Sequence, residues 1–170
     1  RPLREGTHLL RLQISHDSHI EWRSSPLHAI PEPLLLTFSA QRLRRNHPLA
    51  RYKTTRREHY DQALQHAMRE GFFDVLFANE YDELCEGARS CVFVELDSEV
   101  FTPPLSCGLL DSVARRRWLD GQCPELPPAR ERVIRLNELP HATRLWVGNA
   151  LRGIHALSDA ALAQFKKSVF

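Results

Sequence analysis

The sequence predicts a mixed α+β fold in which mostly antiparallel strands form a sheet or pseudo-barrel with flanking helices. Short segments rich in β-branched and aromatic residues are separated by turn residues, as where Cys91–Leu96 is followed by Asp97 and Ser98. Such tight connections favour antiparallel neighbours. Residues 56–70 instead repeat their apolar side chains at helical spacing, which adds at least one helix packed on the strands.

The first thirty residues differ in pattern from the rest of the chain. Residues 7–15 (THLLRLQIS) place Leu10, Leu12 and Ile14 on one face of a strand, and residues 20–23 form the returning strand of a hairpin. Residues 24–33 hold three prolines and are interpreted as a connector. The predicted domains are therefore residues 1–30, a hairpin with its connector, and residues 31–170, a larger domain.

The predicted helix at residues 56–70 is preceded by a buried strand at residues 34–39 and a basic loop at residues 41–50. Thr55 is predicted to cap the start of the helix, and Gly71 to end it. Its buried face is predicted to comprise Tyr60, Ala63, Leu64, Ala67 and Met68.

The second half of the chain predicts further strands and two more helices. Asp111 or Ser112 is expected to cap the first of these helices and Ser158 the second. The predicted strands cover residues 72–78, 91–96, 100–102, 131–136 and 144–149, and the predicted helices cover residues 113–119 and 159–167.

Composition limits the classes of function. A net charge of +2 does not favour nucleic acid as a partner, and no apolar segment approaches the roughly 20 residues that span a membrane. The spacings of the four cysteines match no zinc motif, so no metal site is predicted. Free cysteines of this kind are typical of a reduced compartment, which predicts a cytoplasmic protein.

Lysine is rare in this chain, and one lysine stands apart. Of 23 basic residues only Lys53, Lys166 and Lys167 are lysines, and Lys53 alone lies in the interior of the sequence. A lysine can lose its proton and form a Schiff base with a carbonyl, which arginine cannot do. The alternative is that Lys53 is one more solvated cation in a basic segment.

Two further features suggest a cofactor site. Glu86 precedes a run of small residues and a strand, and residues 110–114 and 148–150 could present backbone N–H groups to a phosphate. A lysine, a carboxylate for a pyridine nitrogen and a phosphate cradle are the parts of a pyridoxal phosphate site. Each feature also has an ordinary structural explanation, as a turn carboxylate or a simple helix start.

Four motifs in order resemble the class IV, fold-type IV aminotransferase family, which includes 4-amino-4-deoxychorismate lyase. They are KTTRREHYDQAL at residues 53–64, ELCEGARSCVFVEL at residues 83–96, TPPLSCGLLDSVARRRWL at residues 102–119 and RLWVGNALRG at residues 144–153. The resemblance covers residues 7–157. It is greatest to the lyase-like domain fused to aminodeoxychorismate synthase component I.

The resemblance implies roles for particular residues around pyridoxal 5'-phosphate. Lys53 would bond the cofactor and shuttle protons, and Glu86 would pair with its pyridine nitrogen. The backbone amides of Val113 and Ala114 would hold the phosphate, and Asn149 and Ala150 would lie at a second phosphate contact.

Several positions depart from the family pattern. Cys91 stands where Asn is usual, Ser112 where Gly is usual, and Ala114 lacks the hydroxyl that is common there. Ala150 likewise offers no hydroxyl. Each phosphate hydrogen bond contributes roughly 1.5–3 kcal/mol, so losing one or two would weaken cofactor binding about ten- to a few-hundred-fold. Residues 7–30 would be only the last hairpin of the family's small N-terminal domain, and residues 31–170 its large cofactor-binding domain.

The resemblance implies a lyase that converts 4-amino-4-deoxychorismate to 4-aminobenzoate and pyruvate in folate biosynthesis. The alternative within the family is an amino-acid aminotransferase. The alternative outside enzymology is a degenerate domain kept for dimerisation or scaffolding. A homodimer and a fused or associated synthase domain are the implied partners, besides a small-molecule substrate.

Overall fold

The computed structural model describes residues 6–169, and the chain divides into two compact units, Arg1–Ile30 and Pro31–Phe170. In the first unit, strands β1 (His8–Ile14) and β2 (Ile20–Pro26) pair antiparallel. The hairpin and its register agree with the alternation in the sequence, although β2 runs three residues further than the predicted 20–23. The apolar side chains of this hairpin are exposed: Leu10, Leu12, Ile14, Ile20 and Trp22.

A three-stranded sheet forms one half of the second unit. Its strands are β3 (Leu36–Leu43), β4 (Asp74–Asn79) and β5 (Leu84–Gly87), in the order β3-β4-β5. Strands β3 and β4 are parallel, and a parallel pair needs a crossover, which helix α1 (Glu58–Arg69) supplies. Strand β5 returns antiparallel to β4.

A five-stranded sheet forms the other half, in the order β10-β9-β6-β7-β8. The strands of this sheet are β6 (Cys91–Leu96), β7 (Glu99–Thr102), β8 (Ala129–Glu131), β9 (Arg144–Asn149) and β10 (Gly153–Ala156). Strands β7 and β8 pair parallel, whereas the other neighbouring strands of the sheet pair antiparallel. The helices after β7 are α2 (Val113–Leu119), α3 (Asp159–Val169) and two 3-10 segments, Leu105–Cys107 and Leu136–His141.

The predicted α+β class with mostly antiparallel strands is therefore confirmed. The strands of residues 6–169 form open sheets and no closed barrel. No helix in this described part is both long and apolar enough to cross a membrane.

Two apolar clusters fix the sheets of the second unit. Beneath α1, fully buried Phe77 packs with Cys85, Cys107 and Leu109. On the larger sheet, Phe93 stacks on Trp118 with ring centroids 3.8 Å apart, in the same cluster as Ala114. Each cluster includes a residue that lines the same pocket, Leu43 in the first and Cys91 in the second.

Several local predictions hold. Strands β6 and β9 and helix α2 have the predicted bounds, and Ser112 caps α2 by accepting a hydrogen bond from the Arg115 amide at 3.2 Å. Gly71 follows α1 with a φ of 86°, as expected of a residue that ends a helix. Ser158 accepts from the amide of Ala161 at 3.3 Å at the start of α3.

The predicted cap and buried face of α1 are partly wrong. The helix begins at Glu58, and Arg57 rather than Thr55 occupies the cap position. The Arg57 side chain is engaged instead with Asp61 and with the carbonyl of Ala88. Met68 is 54% exposed, because the buried side of the helix is centred on Ala67.

The predicted strands near residues 34–39 and 131–136 also need correction. Strand β3 continues to Leu43, into the predicted loop. Strand β8 lies earlier, at Ala129–Glu131, where it pairs with β7. The chain then leaves β7, since the Ile134 carbonyl accepts from the amide of Leu84 at 2.8 Å, on the other sheet.

Candidate active site

The second unit contains a pocket of about 640 Å³ where the two sheets meet. This volume lies in the ordinary range for small-molecule sites. Its walls come from residues 41–60, from the end of β5 with the turn after it, from the start of α2 and from the turn between β9 and β10. The predicted site residues that line it are Lys53, Glu86, Val113, Asn149 and Ala150. Ala114 is buried behind the wall, among the aromatic residues of the larger sheet.

Lys53 belongs to a loop of successive turns, residues 44–57, which we call the lysine loop. Its backbone is held by local hydrogen bonds. The amide of Ala50 donates to the carbonyl of His47, and the amide of Tyr52 donates to the carbonyl of Leu49. Lys53 is exposed, as is Tyr52 beside it. The loop thus presents its lysine to the pocket without enclosing it in protein.

The start of the lysine loop is anchored by Arg45. Its backbone amide donates to Glu80 at 2.8 Å, and its Nε donates to the carbonyl of Ser106 at 2.7 Å. Gly108 has a φ of +88°, and a Cβ there would lie 2.7 Å from the carbonyl oxygen of Arg45. Any larger residue at position 108 would push this end of the loop away.

Glu86, on strand β5, is held at both oxygens. Oε1 accepts from the hydroxyl of Tyr60 at 2.8 Å, and Oε2 accepts from the amide of Leu110 at 3.3 Å. Burial raises the pKa of Glu86 to about 7, and the hydrogen bonds from Tyr60 and Leu110 and the charge of Arg57 oppose that rise. The carboxyl therefore titrates near neutral pH.

Tyr60 is a site residue that the sequence pattern assigned only to the buried face of α1. Its ring packs edge-on against Phe77 at 5.0 Å between centroids, and the guanidinium of Arg57 lies 5.2 Å from its centroid. A buried tyrosine hydroxyl needs a hydrogen-bond partner, which could have drawn attention to it in the sequence.

A second carboxylate, Asp74, lies behind the turn that follows β5. It is fully buried and accepts from the Ser90 hydroxyl at 2.6 Å and from the Arg89 amide at 3.4 Å. Burial raises the pKa of Asp74 to about 6. A Cβ on Gly87 would lie 2.5 Å from Asp74 Oδ2, so the carboxylate packs directly under this turn.

The start of α2 is fixed in place by Arg115. This buried arginine donates through Nη2 to the carbonyl of Pro103 at 2.9 Å and forms an ion pair with Glu131. The first N–H groups of a helix have no acceptor inside it. Within residues 6–169, the amides of Val113 and Ala114 donate no hydrogen bond to a backbone carbonyl outside α2.

The side chains of Cys91 and Asn149 already have partners in the protein. Cys91 Sγ donates to the carbonyl of Gly148 at 3.2 Å, and burial raises the pKa of this thiol to about 11. Asn149 donates to the carbonyl of Arg89 at 3.0 Å and accepts from the amide of Leu151 at 3.1 Å. Asn149 therefore shapes the turn after β9 with its side chain.

The pocket is rich in positive charge. Among its lining residues are the cations Arg42, Arg44, Arg51, Lys53, Arg56, Arg57 and Arg89, and the carboxylates Glu86 and Asp111. Arg42 is paired with Asp82, whereas Arg44, Arg51 and Arg56 form no ion pair within the described part of the chain. This lining suits a ligand with more than one anionic group.

Comparison with protein families identifies the class of protein. The family model for amino-transferase class IV matches residues 5–158, which is most of the chain. The chain belongs to this family of pyridoxal phosphate-dependent enzymes, which contains aminotransferases and lyases.

Particular solved structures share the fold. A putative amino-acid aminotransferase from Mesorhizobium loti is 32% identical, with a TM-score of 0.77, over 88% of this chain and 71% of that one. A putative 4-amino-4-deoxychorismate lyase from Legionella pneumophila is 20% identical, with a TM-score of 0.72, over 81% and 52%. A hypothetical aminotransferase from Mycobacterium tuberculosis, in its PLP-bound form, is 19% identical, with a TM-score of 0.71, over 94% and 66%.

A curated relative gives a shorter match. A probable branched-chain-amino-acid aminotransferase from Thermotoga maritima is 28% identical over 82 residues, which is 48% of this chain and 30% of that protein. The chain thus spans about a third of this relative's length and between about half and three quarters of the three structures.

Proposed function

We propose that this chain is the cofactor-binding part of a pyridoxal phosphate-dependent lyase that converts 4-amino-4-deoxychorismate to 4-aminobenzoate and pyruvate, a step of folate biosynthesis. The observation that carries the proposal is the convergence of Lys53 and Glu86 on one pocket whose charged lining residues are mostly cations. The family match supports the class of enzyme.

The donor set of the pocket fits the cofactor. Lys53 offers an amine, Glu86 a carboxylate for the pyridine nitrogen, and the start of α2 the amides of Val113 and Ala114 for the phosphate. Because the Asn149 side chain is occupied by its turn, the second phosphate contact would come from the backbone amide of Ala150. No hydroxyl at Ala114 or Ala150 adds to these contacts, so we expect weak cofactor binding.

When bound, pyridoxal phosphate supplies an electron sink for the carbon that bears the substrate amine. Lys53 would hold the cofactor aldehyde and, once released, remove the proton at that carbon. The enolpyruvyl group would leave as its C–O bond to the ring breaks, and it would take up that proton to become pyruvate. Glu86 in its ionised form would accept a hydrogen bond from the pyridine N–H and so keep that nitrogen protonated. Tyr60 and the amide of Leu110 hold the Glu86 carboxylate in place for this contact.

The charge of the pocket favours an anionic substrate. 4-Amino-4-deoxychorismate has one carboxylate on its ring and another on its enolpyruvyl group. Arg44, Arg51 and Arg56, on the lysine loop, form no ion pair within the described residues and could attract these groups. An aliphatic amino-acid substrate would leave most of these cations unused.

The second candidate is an amino-acid aminotransferase, which the same Lys53 and Glu86 would serve. The similarity to the Mesorhizobium loti protein favours it. The third is a domain that no longer catalyses and is kept for dimerisation or scaffolding, and Ala114 with Cys91 favours that. For either enzyme we propose a cytoplasmic homodimer, with residues 1–30 as the last hairpin of a small N-terminal domain and with a fused or associated synthase domain.

The first experiment is a spectroscopic titration of the purified chain with pyridoxal phosphate. We expect a visible absorption band that is absent in Lys53→Ala and retained in the matched control Lys166→Ala. No band at any cofactor concentration would contradict the enzyme assignment for this chain.

The second experiment separates the two reactions. Release of pyruvate from 4-amino-4-deoxychorismate, without an added keto acid, would support the lyase. Amino transfer that requires a keto acid, with no pyruvate released, would overturn the lyase in favour of the aminotransferase. Binding of the cofactor without either reaction would favour the non-catalytic domain.

A further inference from the structure

We propose that Tyr60 is a positioning residue that favours the ionised form of Glu86 and fixes its orientation at the base of the pocket. Its effect on the cofactor rests on the proposed function, whereas the coupling between Tyr60 and Glu86 is a property of the protein alone. The contact that carries the proposal is the hydrogen bond from Tyr60 Oη to Glu86 Oε1, at 2.8 Å.

Packing leaves the Tyr60 hydroxyl little freedom to point elsewhere. The ring contacts buried Phe77 edge-on at 5.0 Å, and its neighbour His59 lies 4.2 Å away between ring centroids. The Arg57 guanidinium lies over the Tyr60 ring and is itself held by an ion pair with Asp61 at 2.9 Å. The first turns of α1 therefore aim the hydroxyl at β5.

The proton of this hydrogen bond belongs to the tyrosine. Burial and the nearby Glu86 carboxylate raise the pKa of Tyr60 far above that of a free tyrosine, so the hydroxyl stays protonated. Glu86 must therefore act as the acceptor at Oε1. Because its Oε2 accepts from the amide of Leu110, both oxygens are stabilised as a carboxylate.

The other groups around Glu86 pull in opposite directions. Arg57, next to α1, favours the charged form of Glu86, and Asp74, on β4, disfavours it. Burial itself favours the neutral acid. The Tyr60 hydroxyl is the largest of the influences that lower the pKa of Glu86, so its loss should shift the balance towards the neutral form.

The charge state of Glu86 matters for the proposed reaction. A neutral Glu86 would carry a proton on one oxygen and would no longer offset the positive charge of a protonated pyridine nitrogen. A carboxylate accepts the hydrogen bond from that nitrogen and also offsets its charge. Tyr60 would thus extend to lower pH the range in which Glu86 is ionised and can pair with the cofactor.

The test uses the cofactor-free chain, with Tyr60→Phe compared with the matched control Tyr81→Phe. Tyr81 is 55% exposed and lies outside this pocket. Carbon-13 NMR of the glutamate carboxyls follows the titration, with the Glu86 signal identified by its loss in Glu86→Gln. We expect the midpoint of Glu86 to rise by about one to two pH units in Tyr60→Phe and to stay unchanged in Tyr81→Phe.

An unchanged midpoint in Tyr60→Phe, or an equal rise in the control, would overturn the proposal. If Tyr60→Phe does not fold, the ring ζ-carbon of Tyr60 can be followed in the unmodified chain. The chemical shift of that carbon should change with pH with the same midpoint as the Glu86 carboxyl. A chemical shift that does not follow the Glu86 titration would also overturn the proposal.

Cofactor affinity measured against pH gives the second readout. In Tyr60→Phe we expect the loss of affinity on acidification to begin at a higher pH than in Tyr81→Phe. Equal pH profiles for the two variants would contradict the proposed positioning role. If the unmodified chain binds no cofactor while the NMR shift is present, the proposed function fails and the positioning of Glu86 by Tyr60 stands.

Discussion

The wall of the pocket that carries Glu86 belongs to the hydrophobic core, whereas the wall that carries Lys53 is an exposed loop. Glu86 is held at both oxygens by Tyr60 and Leu110, close to fully buried Phe77. Lys53 lies on a chain of turns that Arg45 anchors at one end. The fold alone thus supplies the partners that hold the carboxylate, while the lysine remains exposed on its loop.

The largest expected difference between the walls is in stability. Phe77→Ala should lower the free energy of unfolding by about 3–5 kcal/mol, because it opens a cavity beneath Tyr60 and α1. Leu49→Ala, on the lysine loop, should cost about 1 kcal/mol or less, since Leu49 is only partly buried. Urea unfolding followed by circular dichroism measures both. Equal costs would show that the lysine loop is part of the core.

A smaller effect tests how tightly the turn after β5 packs on Asp74. Gly87→Ala should lower the free energy of unfolding by about 1–3 kcal/mol, because its Cβ would lie 2.5 Å from the Asp74 carboxylate. In an Asp74→Ala background the same change should cost less, which a double-mutant cycle detects. Additive costs would mean that the two residues do not press on each other.

The buried carboxylates should also make stability depend on pH. Folding raises the pKa of Glu86 from 4.5 to about 7 and that of Asp74 from 3.8 to about 6. Their contribution is present below about pH 4 and is lost as the pH rises through these raised values. Between about pH 5 and pH 8 the unmodified chain should therefore lose about 4 kcal/mol relative to Glu86→Gln/Asp74→Asn.

The double variant is needed as a reference because His59 also titrates. Burial lowers the pKa of His59, so its contribution to the free energy of unfolding changes with pH in the opposite direction. Urea unfolding at both pH values, for both proteins, gives the difference directly. A difference that stays constant with pH would contradict the raised pKa values.

The smallest expected effect on stability is at Arg51, a cation of the lysine loop that lines the pocket. Arg51→Gln should change the free energy of unfolding by less than about 0.5 kcal/mol, because this exposed arginine forms no ion pair among the described residues. It should nevertheless weaken binding of a dicarboxylate, most clearly at low salt. Arg130→Gln, outside the pocket, is the matched control. Equal effects of the two substitutions on dicarboxylate binding would contradict a role for Arg51 in attracting the ligand.

The sequence predicted the elements whose causes are local. The β-branched and aromatic run of Cys91–Leu96, the cap at Ser112 and the glycine after α1 each depend on neighbouring residues, and the structure agrees with them. Strand β8 was misplaced because its parallel partner β7 is distant in the sequence. The cap at Thr55 was wrong because Arg57 is drawn to groups outside the helix.

The candidate site shows the same division. Lys53 is conspicuous from composition, and the resemblance to a family pointed to Glu86. The pKa of Glu86 could not be anticipated, since it depends on burial and on Tyr60, 26 positions away in the sequence. Asp74 was missed for a similar reason, because only the fold brings it beneath Gly87.

The central claim is that Lys53 bonds pyridoxal phosphate in this pocket, and chemical trapping tests it most directly. The chain is incubated with the cofactor and reduced with borohydride, and its peptides are then mapped by mass spectrometry. We expect the reduced cofactor on Lys53, with little on Lys166 and Lys167, and a loss of the adduct in Lys53→Arg. An adduct spread evenly over the three lysines, or no adduct at all, would contradict the account.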